Sequence, residues 1–203
     1  MSTLYYILDP MCSWCYAFAP TWKKLLHNLP SHIGVKYIHG GLAPHSDVPM
    51  PQEMQDMLQN TWRDIEQKVG TQFNYSFWST CNPRRSTYLA CQACISARLQ
   101  NKEYEMIQEI QKAYYQNASN PSDRDTLELA ASNINLDVEK FSQDLESKEI
   151  VDLFEQDLNK RRELGVRSFP SLVLKSNNNY FSITIDFKSY EPILKQINSC
   201  LIR

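Results

Sequence analysis

Leu4 to Leu8 are five apolar or aromatic residues in a row, and an unbroken run of that length predicts a strand covered on both faces. Beyond it, Trp22, Leu25, Leu26 and Leu29 recur at i, i+3, i+4 and i+7, which predicts an amphipathic helix. Pro20 lies inside that pattern, so either the helix kinks there or two short helices meet at Ala19-Pro20. Gly34 to His39 predicts a second strand, and Gly40 to Pro51, with two glycines and three prolines, predicts a loop. Pro51 suits the first turn of a helix that places Met54, Met57, Leu58, Trp62, Ile65 and Val69 on one face and ends at Gly70. Phe73, Tyr75, Phe77 and Trp78 follow as an aromatic cluster, read as packing of this region in preference to a substrate-facing patch.

From Pro83 the helical spacing returns, through Tyr88 to Leu99 and then Tyr104 to Tyr114. The turn Asn117 to Asp123 leads to further helices over Leu127 to Ala131, Val138 to Leu145, and Ile150 to Leu164, the last ended by Gly165. Ser171 to Lys175 and Tyr180 to Ile185 read as an antiparallel hairpin across Ser176-Asn177-Asn178-Asn179, where asparagine tolerates positive φ. Ile193, Leu194, Ile197 and Leu201 then place a final helix on the sheet. The expected architecture is α/β. Residues 1–47 and 148–203 form one discontinuous domain, and residues 48–147 form an all-helical insertion.

The first strand runs directly into Asp9-Pro10-Met11-Cys12-Ser13-Trp14-Cys15-Tyr16. Cysteines at i and i+3 at a helix start lie within about 7 Å, so a disulfide opens and closes there with little backbone movement. At a helix N-terminus the unpaired N–H groups and the macrodipole favour a thiolate, which makes Cys12 the candidate nucleophile. Cys15, one turn further in, is the candidate resolving thiol. Cys91-Gln92-Ala93-Cys94 repeats the spacing, and two such pairs can form a tetrahedral zinc site. Cys91 and Cys94 fall inside a helical segment, however, and not on a knuckle turn, so no metal is expected. The second pair reads either as small core residues or, with Cys81, as a further redox pair.

Asp-Pro-Met-Cys-Ser-Trp-Cys-Tyr after an N-terminal strand resembles the active site of DsbA-like thioredoxin-fold oxidoreductases, and within them the FrnE-like subgroup without a signal sequence. Gly165-Val166-Arg167-Ser168-Phe169-Pro170-Ser171-Leu172-Val173-Leu174 resembles that family's cis-proline loop, and Gly40-Gly41-Leu42 also fits. The resemblance implies a thioredoxin fold interrupted by the helical insertion. It implies a cis bond at Pro170, and a Phe169 backbone able to pair with an extended substrate strand. Trp14, Tyr16, Phe169 and Pro170 become candidate substrate-binding residues, and Ser13 and Asp9 candidate redox-tuning residues. Strongly oxidising relatives place proline and histidine between the cysteines. With Ser13 and Trp14 there, the pair is expected to be less oxidising than about −120 mV. Related proteins often place a buried acid six residues before the nucleophile. Here that position is Tyr6, which leaves Asp9 as the nearest acid.

Composition narrows the rest. A chain of 203 residues buries a core without needing disulfides. Its 21 basic and 23 acidic residues give a net charge of −2, so no basic face recruits nucleic acid. No apolar stretch approaches the roughly 18 residues that span a bilayer, and with Met1-Ser2-Thr3 running straight into the first strand no removable leader is expected. The expectation is a cytoplasmic protein, where a cysteine pair is more often catalytic than structural. His39 and His45 flank the glycine loop and are candidates for the site mouth. The partners expected are protein or small-molecule thiols and disulfides, with no resident cofactor and with glutathione as a redox partner. The spacing leaves oligomeric state open. Rival readings are a kappa-like glutathione transferase or 2-hydroxychromene-2-carboxylate isomerase, which typically uses serine and lacks the dithiol, and a non-catalytic chaperone-like binding module.

Overall fold

The computed structural model describes residues 2–201. The strand predicted at the N-terminus is β1 (Ser2–Leu8), followed by α1 (Ser13–Asn28) and β2 (Ile33–His39). Seven helices follow: α2 (Gln52–Val69), α3 (Phe77–Thr80), α4 (Tyr88–Leu99), α5 (Glu103–Tyr115), α6 (Arg124–Asn133), α7 (Val138–Asp144) and α8 (Lys148–Glu163). The chain closes with β3 (Ser171–Ser176), β4 (Asn179–Ile183) and α9 (Glu191–Leu201). The four strands form one sheet in the order β2-β1-β3-β4. β1 pairs parallel with β2 and antiparallel with β3, so β1 is central and carries the dithiol out of the middle of the sheet.

The unbroken apolar run of β1 serves two cores. Leu4, Tyr6 and Leu8 point to the face covered by α1, α9 and the insertion helices. Tyr5 and Ile7 point to the other face, where they meet Ile38, Val173 and the segment after α8. α8 is also joined to α4 by a smaller cluster in which Cys91 and Ile95 meet Ile150, Phe154 and Leu158.

Pro20 does not split the first helix: α1 is continuous through it, and the proline sits on the exposed side, where the lost backbone hydrogen bond is not buried. Gly70 (φ 88°) and Gly165 (φ 68°) end α2 and α8 in the left-handed conformation, as their positions predict. Asn177 and Asn178 both have positive φ, giving the two-residue hairpin turn between β3 and β4. β4 stops two residues before the predicted Ile185, because Gln196 of α9 takes the backbone of Thr184, accepting from its N–H and donating to its carbonyl. The aromatic cluster after α2 is packing: Phe73 stacks on Trp62 at 4.9 Å, and Phe77 meets Tyr114 edge-on at 4.7 Å.

Candidate active site

The turn between β1 and α1 is built by Asp9. Its Oδ1 accepts from the Met11 N–H at 2.8 Å and its carbonyl from the Cys12 N–H at 3.0 Å, an Asx-type turn. Cys12 is thereby the N-cap of α1 in extended conformation (φ −84°, ψ 119°). It stands at the positive end of the α1 dipole, where a thiolate is favoured, although its sulfur makes no capping hydrogen bond. Both cysteines are buried, but Cys12 keeps 7% of its surface accessible and Cys15 none. Burial, and then the hydrogen bond with Cys12, pushes the Cys15 thiol well above its ordinary value.

The opposite wall comes from the far end of the chain. Cys12 Sγ lies 3.7 Å from the Phe169 carbonyl, and the Phe169–Pro170 bond is cis. The Phe169 ring packs so closely on Gly40 that a Cβ there would clash with it. Arg161 closes the arrangement, donating to the Gly40 carbonyl at 2.6 Å with its guanidinium 5.9 Å from the Phe169 ring centre.

Beneath the dithiol, Asp9 is fully buried and its Oδ2 accepts from the Leu42 N–H (2.7 Å), the Thr87 hydroxyl (2.7 Å) and the Cys91 thiol (3.5 Å). Burial raises its pKa even against these donors. Tyr6 is buried next to Cys15, and burial followed by the two cysteines drives its phenol pKa well up. Tyr115 donates to the Met11 carbonyl at 2.6 Å. Thr87 and Tyr115 have no local signal in the sequence: they reach the site from the start of α4 and the end of α5.

Cys12, Ser13, Cys15, Phe169 and Pro170 converge on one place. Trp14 and Tyr16 lean to its two sides: Trp14 meets Phe187 edge-on at 5.1 Å, and Tyr16 stacks on Tyr115 at 4.6 Å. Both are half-buried, so each ring has one face in packing. Cys91 and Cys94 are fully buried and burial raises both thiols well above their usual range, the condition of inert core cysteines. Among the described residues no group of three His, Cys, Asp or Glu side chains is arranged to hold a metal ion. His39 is not at the mouth: it is fully buried, its Nε2 2.9 Å from Glu103. His45 is exposed in the loop, 3.8 Å from Asp47.

A central strand that ends in a dithiol-capped helix, faced by a proline loop entering the antiparallel half of the sheet, defines the class of thioredoxin-fold proteins. The chain belongs to the family described as Thioredoxin, whose model matches residues 5–195. Among curated proteins it is similar to the ClpXP adapter protein SpxH of Halalkalibacterium halodurans (25% identity over 86% of this chain and 59% of the relative). It is also similar to SpxH of Bacillus subtilis (25% identity over 83% and 56%). The chain thus spans less than two thirds of the length of these relatives. Among solved structures, the cytosolic disulfide reductase DsbM of Pseudomonas aeruginosa superposes with a TM-score of 0.79 at 19% identity, over 98% of each chain. A protein of Nitrosomonas europaea superposes with a TM-score of 0.85 at 24% identity, over 99% of this chain and 97% of that one. At these identities the likeness speaks for the fold.

Proposed function

We propose that this protein is a thiol–disulfide oxidoreductase of the DsbA-like type, acting on protein or small-molecule thiols and disulfides in a cytoplasmic setting. The observation that carries the reading is the asymmetry of the pair, with Cys12 at the helix N-cap facing the Phe169 carbonyl and Cys15 sealed beneath it. In the reducing direction the Cys12 thiolate attacks one sulfur of a substrate disulfide. The S–S bond breaks, the other sulfur leaves as a thiolate, and Cys12 is held in a mixed disulfide. Cys15 then gives up its proton and attacks Cys12, closing the Cys12–Cys15 disulfide and releasing the second substrate thiol. Two electrons pass from the protein to the substrate, and the reverse sequence oxidises a dithiol. The backbone at Phe169 offers the edge on which an extended substrate segment pairs.

The roles separate by substitution. Cys15→Ser accumulates a mixed disulfide at Cys12 that mass spectrometry detects, and Cys12→Ser does not. Equal trapping by both variants, or trapping by neither, contradicts the mechanism. A second reading comes from the curated relatives, which are adapters: the same surface would bind a client protein without chemistry. In that case a Cys12→Ser/Cys15→Ser protein keeps full affinity for its client, whereas the redox reading has substrate capture depend on Cys12.

A further inference from the structure

Beside the dithiol lies a small cavity of about 60 Å³. Met11 and Ser13, the two neighbours of Cys12, form one side of it, Trp62 and Tyr115 are among its aromatic lining residues, and Arg84 and Arg85 also line it. None of its lining residues is acidic. The two arginines differ. Arg84 is held in a bridge between the Gly40–Pro51 loop and the segment before α4, and its charge is taken by Asp123 at 2.5 Å and by the Ser122 carbonyl at 2.9 Å. Arg85 is exposed and donates to the Met54 sulfur at 3.8 Å, and among the described residues no carboxylate pairs with it. A guanidinium with free donors, lining a cavity together with apolar rings and the two chain neighbours of Cys12, is suited to bind a carboxylate.

Resting on the oxidoreductase reading, we infer that Arg85 is a specificity-determining residue that receives a carboxylate of an acidic low-mass thiol or disulfide whose sulfur is presented to Cys12. The size of the cavity fits this role. At about 60 Å³ it is far below the roughly 300–1,000 Å³ of a pocket that encloses a whole ligand, so only one end of such a ligand enters it. Glutathione, with two carboxylates flanking its cysteine, has the required chemistry.

The test mixes the reduced protein with glutathione disulfide and, separately, with uncharged 2-hydroxyethyl disulfide, and follows loss of the Cys12 thiol by quenched mass spectrometry. Arg85→Gln lowers the second-order rate constant for glutathione disulfide by about tenfold, leaves that for 2-hydroxyethyl disulfide unchanged, and Arg85→Lys recovers part of the loss. Binding of S-methylglutathione, which cannot exchange, weakens by a similar factor in Arg85→Gln. Equal rates for both disulfides in Arg85→Gln and wild type, or an equal drop for both, overturns the inference while leaving the oxidoreductase reading in place. If neither disulfide oxidises the wild-type pair, the oxidoreductase reading itself falls and the role of Arg85 with it.

Discussion

Asp9 does more than open a turn. Both of its carboxylate oxygens face donors: Oδ1 the Met11 N–H, and Oδ2 the Leu42 N–H, the Thr87 hydroxyl and the Cys91 thiol. An asparagine cannot accept on its nitrogen, so Asp9→Asn sets a donor against a buried donor. The expected loss is about 1–3 kcal/mol in urea unfolding. The pH dependence carries a sign. Burial raises the folded-state pKa of Asp9, so the stability it contributes is complete below an unfolded pKa of about 3.9 and drains away as pH rises through the folded value. The penalty of Asp9→Asn is therefore largest near pH 4 and shrinks towards neutrality, and a penalty that grows with pH contradicts this account. In the sequence, Asp9 is legible as a turn residue and as the acid nearest the cysteines. Its partner Thr87 is not, because nothing local to Thr87 announces a contact 78 positions away.

At the scale of elements, the insertion is tied to the sheet by a buried ionic knot. Arg98 of α4 bridges Glu103 of α5 at 2.7 Å and Asp157 of α8 at 2.9 Å, while Glu103 also meets His39 at the end of β2. Burial alone would raise the Glu103 pKa, but His39 and then Arg98 outweigh it and lower the value. The stabilisation is accordingly present above an unfolded pKa of about 4.3 and is lost as pH falls through the lower folded value. Arg98→Met removes the cation shared by Glu103 and Asp157 and leaves both carboxylates, among the described residues, on His39 alone. It is expected to destabilise the fold by about 2 kcal/mol at pH 7, less than a fully buried pair because Arg98 remains 30% exposed, and to flatten the acid limb of the stability profile. Gly40 carries a second element-level prediction. A methyl group there displaces the Phe169 ring, so Gly40→Ala slows disulfide exchange at Cys12, measured as thiol loss with 2-hydroxyethyl disulfide, far more than it lowers the melting temperature. Equal exchange rates would mean that the placement of Phe169 is irrelevant to the chemistry. His39 shows why such knots escape sequence reading: a histidine at the edge of a glycine loop has the local look of a site residue, and only the packing of α5 against β2 decides otherwise.

Across the whole molecule, the two halves of the site come from opposite ends of the chain, Cys12 from the exit of β1 and Phe169-Pro170 from the entry to β3, and the adjacent strands β1 and β3 bring them together. Both halves were legible because each sits in a short local motif: the spacing of two cysteines, and a proline before an apolar strand. The third wall, with Thr87 and Tyr115, was not, because helical periodicity reports which residues are buried and not which helix end reaches the dithiol. With Ser13 and Trp14 between the cysteines in place of proline and histidine, the potential of the pair is expected to be more negative than about −120 mV.

The measurement that tests the central claim most directly is equilibration of the protein in graded glutathione redox buffers, with the state of every cysteine read by alkylation and peptide mass spectrometry. The account predicts one reversible Cys12–Cys15 disulfide, with Cys91 and Cys94 reduced throughout. Cys12 and Cys15 remaining reduced at every poise, or Cys12 ending as a stable glutathione adduct that Cys15 does not resolve, would contradict it.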